Sequence, residues 1–165
     1  MLQEPAEHGA AADPSEVFAA AGLTLADGDP HLPPQVMSTG YRHMLAIVRD
    51  DAALVRCKPQ LELLEPLLDR HGCGVLALAA LDLASNTARV RAFFPALGSV
   101  TEDPATGSAA GALCAYVERR CATAHLSIEQ GVAMGRPSSL SAEVEGDRVR
   151  VSGDVVILAT GELSL

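Results

Sequence analysis

Tryptophan is absent from the 165 residues, and aromatic side chains of every kind make up only 3% of them. A surface that stacks nucleic-acid bases needs such rings, so that class of function is disfavoured. Positive charge is scarce too: 12 Lys and Arg stand against 21 Asp and Glu, a net charge of −9. An acidic surface repels phosphate backbones and anionic membranes, which makes nucleic acid and membrane poor partners. It does not exclude an anionic small molecule, because one helix terminus can hold an anion against the global charge. The longest apolar run, residues 74–81, falls far short of the roughly 20 residues that a membrane-spanning helix needs. The opening Met1-Leu2-Gln3-Glu4-Pro5 has neither the basic nor the apolar part of a secretory signal. Cys57, Cys73, Cys114 and Cys121 show no C-x-x-C spacing and no accompanying His pattern. Zinc, or any other metal, is therefore unsupported, and reduced structural thiols in a cytoplasmic protein are expected.

What is present is enough for one domain with a core: 48% of residues are apolar and 20% charged, outside the range of disordered chains. Residues 1–12, mostly Ala, Glu and Gly, have no periodicity and read as a loose arm, leaving residues 13–165 as the folded unit. Asp13-Pro14-Ser15-Glu16 starts a helix, with Asp13 as cap, Pro14 in the first turn and Glu16 reaching back, and Gly22 ends it. Residues 35–49 look extended, with Gly40 as a bulge or close approach. Leu61, Leu64 and Leu68 are at helical spacing, but Pro66 confines the firm helix to residues 65–71, closed by Gly72. Strands are expected at 75–83, 89–94, 126–129, 140–144, 149–151 and 155–158, with Gly146-Asp147 turning a hairpin.

Residues 107–120 stand apart. Ser108 to Ala115 are small or apolar on every side of the helix they would form, and such a helix is surrounded by protein. An α+β domain follows, a curved and mostly antiparallel sheet wrapped around one central helix.

The chemistry concentrates where that helix begins, in Glu102-Asp103-Pro104-Ala105-Thr106-Gly107-Ser108-Ala109. Thr106 suits an N-cap, and the glycines leave the first backbone N–H groups open. A buried helix start with unpaired donors accepts a carboxylate. Asp103 can hold a polar substrate group, and Ser108 Oγ can donate to an oxygen. The same residues also serve to cap a helix, and on residue chemistry alone both readings stand. Arg91 reads as a structural partner of Glu102 or Asp103, and Arg136 as part of a turn. His43, His71 and His125 read as surface or strand positions rather than catalytic ones.

Arg91-x-Phe93-x-Pro95, the 102–109 string, Gln130-Gly131, Gly135-Arg136-Pro137-Ser138 and Val151-x-Gly153 together resemble the signature of PhzF-like isomerases. The resemblance runs from about Val17 onward and corresponds to the C-terminal half of such a protein. It implies the diaminopimelate-epimerase-like fold, whose two similar domains enclose the active site, and proton transfer without metal or organic cofactor. It implies Asp103 as the catalytic residue of this half, with Thr106, Gly107 and Ser108 binding substrate. The family's proton-shuttling Glu and a substrate-positioning His belong to the other half. Glu16 does not replace that Glu, because its place suits a capping residue. Epimerases of the same fold carry a thiol at each central helix start; here Cys114 and Cys121 lie deeper and read as core residues. The expected function is a half-length isomerase subunit acting on a small carboxylate-bearing metabolite. Its cleft would be completed in a homodimer or by an N-terminal-half protein. The alternative is a non-catalytic carboxylate-binding module or an inactive remnant.

Overall fold

The computed structural model describes residues 1–162. Nine strands form one sheet among the described residues, in the order β1-β2-β3-β4-β5-β7-β8-β9, with β6 also on β5. In chain order they are β1 (Glu7–Ala11), β2 (Gln35–Ser38), β3 (Arg42–Val48), β4 (Val75–Asp82), β5 (Thr87–Ala96), β6 (Ser99–Asp103), β7 (His125–Gln130), β8 (Ser138–Glu145) and β9 (Arg148–Gly153). Only β3–β4 and β5–β7 run parallel. Parallel neighbours need a crossover, and both are helical. Helices α2 (Asp51–Arg56) and α3 (Leu61–His71) join β3 to β4, and α4 (Gly107–Cys121) lies between β5–β6 and β7.

The crossovers lie on opposite faces. Met44, Ala46 and Val48 of β3, with Leu76 and Leu78 of β4, meet α1 (Pro14–Ala20), α2 and α3 in one buried cluster. The alternate residues Leu45, Ile47, Ala77 and Ala79 meet α4 in a second cluster. Strands covered on both faces carry the continuous apolar runs seen at 44–48 and 75–81. Ala77, Ala79 and Ala88 face a helix whose own Ala109, Ala110 and Ala112 are buried, so small residues on both sides permit close approach.

The expected arm at residues 1–12 is instead built into the sheet. Met1, Gln3 and Ala6 bond to the backbone of Val151, Val149 and Asp147 along β9, and residues 7–11 then pair with β2. One short segment thus joins the two edges of the sheet and closes it around α4. Its Ala- and Gly-rich composition gave no strand signal; the pairing is imposed by two edges that would otherwise be open.

The same closure accounts for the C-terminus. The strand expected at 155–158 is absent: Val155, Val156, Ile157 and Leu158 are between 78% and 92% exposed. The free edge of β9 is already taken by residues 1–3, so no place remains for a further strand.

Three further corrections are local. Residues 35–49 form two strands, with Gly40 (φ +115) in the turn between them. Helix α3 runs through Pro66, which lies on its exposed face where the carbonyl it cannot bond is open to water. Glu16 does not reach back to the start of α1 but pairs with Arg70 of α3 at 2.9 Å.

Candidate active site at the start of the central helix

The site is placed by a change of partner along β5. Thr87–Val90 pair with β7, whereas Ala92–Ala96 pair with β6, on the same edge. At the fork between them β6 ends in Asp103 and α4 begins. Arg91 braces this point: its guanidinium is bidentate to Glu102 (2.9 and 2.8 Å) and donates to the carbonyls of Leu54 and Cys57 at 3.0 Å each. The expected structural role of Arg91 therefore stands.

Gln130, at the end of β7 and 1% exposed, fills the fork. Its Oε1 accepts from the Thr106 N–H (3.1 Å), while Nε2 donates to the Asp103 carbonyl (2.7 Å) and to Thr106 Oγ1 (2.9 Å). Thr106 Oγ1 in turn donates to Asp103 Oδ2 at 2.7 Å. Thr106 therefore stands at the cap position without its side chain capping α4. The Gly107 and Ser108 N–H groups consequently have no acceptor among the described residues. The first turn remains open, with the positive end of the helix dipole directed outward.

Asp103, Thr106 and Ser108 line one open cleft of about 560 Å³, together with Tyr41, Glu65, Asp69, Cys73, Phe94 and Pro95 among others. Gly107 offers its N–H at the same helix start, and its carbonyl accepts from Gln3 Nε2 at 2.9 Å. Gln3 is 6% exposed and also accepts from Thr39 Oγ1 (2.6 Å). The four residues expected at the site are thus gathered at one helix end. A larger groove of about 700 Å³ crosses the outer face of β5, β7, β8 and β9. It is lined by Thr87, Ser127, Ser139, Ser141 and Ser152, its Arg89 and Glu129 are paired at 2.9 Å, and no set of donors converges in it.

Sequence reasoning missed two residues here, Gln130 and His43. His43 was placed as a surface or strand residue; it is on β3 but fully buried, with Nε2 3.2 Å from Ser108 Oγ. Burial lowers its pKa to about 4, against a smaller upward pull from the Tyr41 backbone. That backbone does not meet Nδ1 in hydrogen-bonding geometry, and Nδ1 has no partner. The available signal was a histidine abutting the apolar run Met44–Val48. His125 is exposed on β7 and meets Ser141 Oγ at 3.1 Å, and His71 closes α3, both away from the cleft.

Thiol chemistry is disfavoured at the helix start. Cys73 lines the cleft, but burial pushes its thiol up to about 11. Burial likewise raises Cys57 and Cys114 to about 12, and Cys121 packs at the edge of the α4 core. Among the described residues no three His, Cys, Asp or Glu side chains converge as a metal site. No helix among them is long and apolar enough to cross a membrane.

A sequence model of phenazine biosynthesis-like proteins, PhzC-PhzF, matches residues 1–161. The chain belongs to that family. It is 35% identical over 160 residues to trans-2,3-dihydro-3-hydroxyanthranilate isomerase of Pseudomonas aeruginosa, covering 92% of this chain and 54% of that protein. It is 33% identical over 168 residues to an isomerase of the same organism, PA3578, covering 100% of this chain and 57% of the relative. Among solved structures, a predicted epimerase of P. aeruginosa superposes with a TM-score of 0.78 at 35% identity, covering 99% of this chain and 57% of that one. A PhzF-family phenazine biosynthesis protein of Bacillus anthracis gives 0.79 at 22% identity over 93% of this chain and 56% of that one, a likeness of fold. The diaminopimelate-epimerase-like architecture of this PhzF-like chain follows. The chain spans a little over half the length of these relatives.

Proposed function

We propose that the chain is a half-length PhzF-like isomerase subunit whose α4 start binds the carboxylate of a small metabolite. The observation that carries this reading is the pair of unpartnered N–H groups at Gly107 and Ser108, at the helix start where Ser108 lines the cleft with Asp103. The substrate named for the P. aeruginosa relative is an aminocarboxylate. Glu65, Asp69 and Asp103 line the cleft without a Lys or Arg, which suits the amino group, while the carboxylate depends on the donors of the α4 start. Gly107 and Ser108 bind the substrate carboxylate, Thr106 lines the binding cleft with its donors held by Gln130 and Asp103, and Asp103 is the catalytic carboxylate of this half. In the isomerisation a carboxylate takes a proton from one substrate carbon and a proton returns to another, with no redox change and no cofactor. Asp103 is held by Thr106 through Oδ2; its Oδ1 has only a long contact of 3.4 Å with the Ala105 N–H and remains available.

The wall opposite this helix start comes from a second copy or from a separate N-terminal-half protein. Support lies in Leu97 standing fully exposed on the β5–β6 turn and in the exposed apolar residues 155–158. Light scattering at micromolar concentration is expected to show a dimer, and a chain ending at Asp154 is expected to show a weaker one. A monomeric parent chain would reject self-association and leave the separate half. The four free cysteines fit a reducing compartment such as the cytoplasm.

The reading is tested by titrating the 15N-labelled chain with 2-aminobenzoate. Shifts centred on the Gly107 and Ser108 amides are expected, with binding weakened about tenfold by Ser108→Ala. No shift there would sink the carboxylate reading. The second reading, a binding module without chemistry, is favoured by the Asp103–Thr106 bond, which also serves simply to shape the turn. It predicts the same shifts but no deuterium uptake when the assembled protein is given the relative's substrate in D2O. The isomerase reading predicts uptake that Asp103→Asn abolishes.

A further inference from the structure

Against Ser108, and outside the lining of the cleft, lies one buried side chain with a single side-chain polar contact. His43 is 0% exposed and its Nε2 is 3.2 Å from Ser108 Oγ. It is fixed in place by backbone pairing with Met37 on β2 and Val75 on β4. The Tyr41 ring lies edge-on at 5.4 Å. Tyr41 is itself confined, because its hydroxyl occupies the space where a Cβ on residue 74 would stand, which Gly74 leaves free. His43 therefore presents a preset nitrogen to the serine and does not line the cleft.

Resting on the carboxylate reading above, we infer that His43 is a positioning residue that holds the Ser108 hydroxyl as a donor toward the bound carboxylate. A hydroxyl carries one proton and two acceptor lone pairs. A carboxylate in the cleft can only accept, so Ser108 helps to bind it only if its proton is not already given to His43. No acceptor meets Nδ1 in hydrogen-bonding geometry, the Tyr41 backbone exerting only the smaller upward pull on the ring, and this favours one tautomer. Buried backbone carbonyls lack a partner more often than buried N–H groups, and by the same logic an unpaired ring lone pair costs less than an unpaired ring N–H. The ring proton thus resides on Nε2, Nε2–H donates to Ser108 Oγ, and Oγ–H points to the ligand. The carboxylate then meets the Gly107 and Ser108 N–H groups and a hydroxyl whose polarity is set by His43.

The test uses the whole chain and 2-aminobenzoate as probe. Long-range 1H–15N spectra of the liganded protein are expected to place the His43 ring proton on Nε2. His43→Phe, which keeps the volume, is expected to weaken binding about tenfold, by loss of one charge-assisted contact. His43→Gln, whose amide reaches the Nε2 position, is expected to restore it. In a Ser108→Ala background His43→Phe should add no further loss, a coupling that a merely structural role would not produce. The inference is overturned by unchanged binding in His43→Phe, by failure of His43→Gln to restore it, by full additivity with Ser108→Ala, or by a proton on Nδ1. If His43→Phe does not fold, the parent's ring spectrum and His43→Gln decide. A parent chain whose Gly107 and Ser108 amides ignore the probe rejects the carboxylate site itself, an outcome distinct from all of these.

Discussion

Gly131→Ala is expected to destabilise the chain by at least about 3 kcal/mol, in part because its φ of +78 is a left-handed conformation in which a Cβ is disfavoured. The larger part is steric. A Cβ at residue 131 would overlap the carbonyl oxygen of Arg136 and come within 2.9 Å of the carbonyl oxygen of Pro104. Both are backbone atoms and cannot rotate away as a side-chain end would. Relief requires moving the 131–136 turn or the 103–106 turn, and the second carries Asp103 and Thr106. For a domain of this size the loss corresponds to a fall in Tm of about 10 °C. Gly135→Ala is the control: its φ is +67, but nothing lies within 4 Å of the added Cβ. It should therefore cost only the conformational part, about 1 to 2 kcal/mol. Equal melting shifts for the two variants would refute the packing account. Carboxylate binding should weaken in Gly131→Ala, measured below its melting temperature, and not in Gly135→Ala.

The contrast between these glycines marks what the sequence could and could not convey. Gly131 was visible as half of a motif with Gln130, yet its role depends on a carbonyl at Pro104 that is 27 residues away and arrives only through the fork in β5. The central helix was legible because Ala109 to Val117 is apolar all round, and burial on every side is the one environment that permits this. Asp103, Thr106, Gly107 and Ser108 were legible because a helix start concentrates their chemistry locally. Strand β6 was not: it is half-buried after an exposed Ser99 and ends in two acids, and only pairing with β5 and the Arg91–Glu102 bridge make it a strand. Helix α2 is six residues long, too short for periodicity to register, although the Asp50 cap was present in the sequence. The burial of His43 on its strand was not legible for a different reason. Strand β3 is buried on both faces, so alternation carries no phase there, and nothing local could say which neighbour its ring would meet.

The ring's burial has a consequence for acid stability that can be measured without any ligand. The folded state holds His43 near pKa 4, while the unfolded chain protonates it near the ordinary 6.5. Between those values the unfolded state binds a proton that the folded state refuses, so stability falls as pH drops through that window. Fully developed, the shift is worth about 3 kcal/mol, lost progressively from about pH 6.5 and nearly complete by about pH 4. His8, whose pKa is lowered by partial burial and by Arg119 and Arg120, acts in the same direction and leaves a residual slope. The carboxylates act lower down: Asp27 is held near 2 by hydrogen bonds from Thr24 and Arg56, so its contribution fades only below its unfolded value of 3.8. The two regimes are therefore separable by pH. Urea unfolding of the parent between pH 7 and 4.5 should show stability decreasing with acidity. His43→Gln cannot titrate and keeps a partner for Ser108, so it should flatten most of that slope while leaving the region below pH 4 unchanged. A slope identical in both proteins would mean that His43 takes up its proton in the folded state as readily as in the unfolded chain. A charged ring would donate from both nitrogens, so Nδ1–H would be a buried donor without an acceptor, contrary to the packing seen around it.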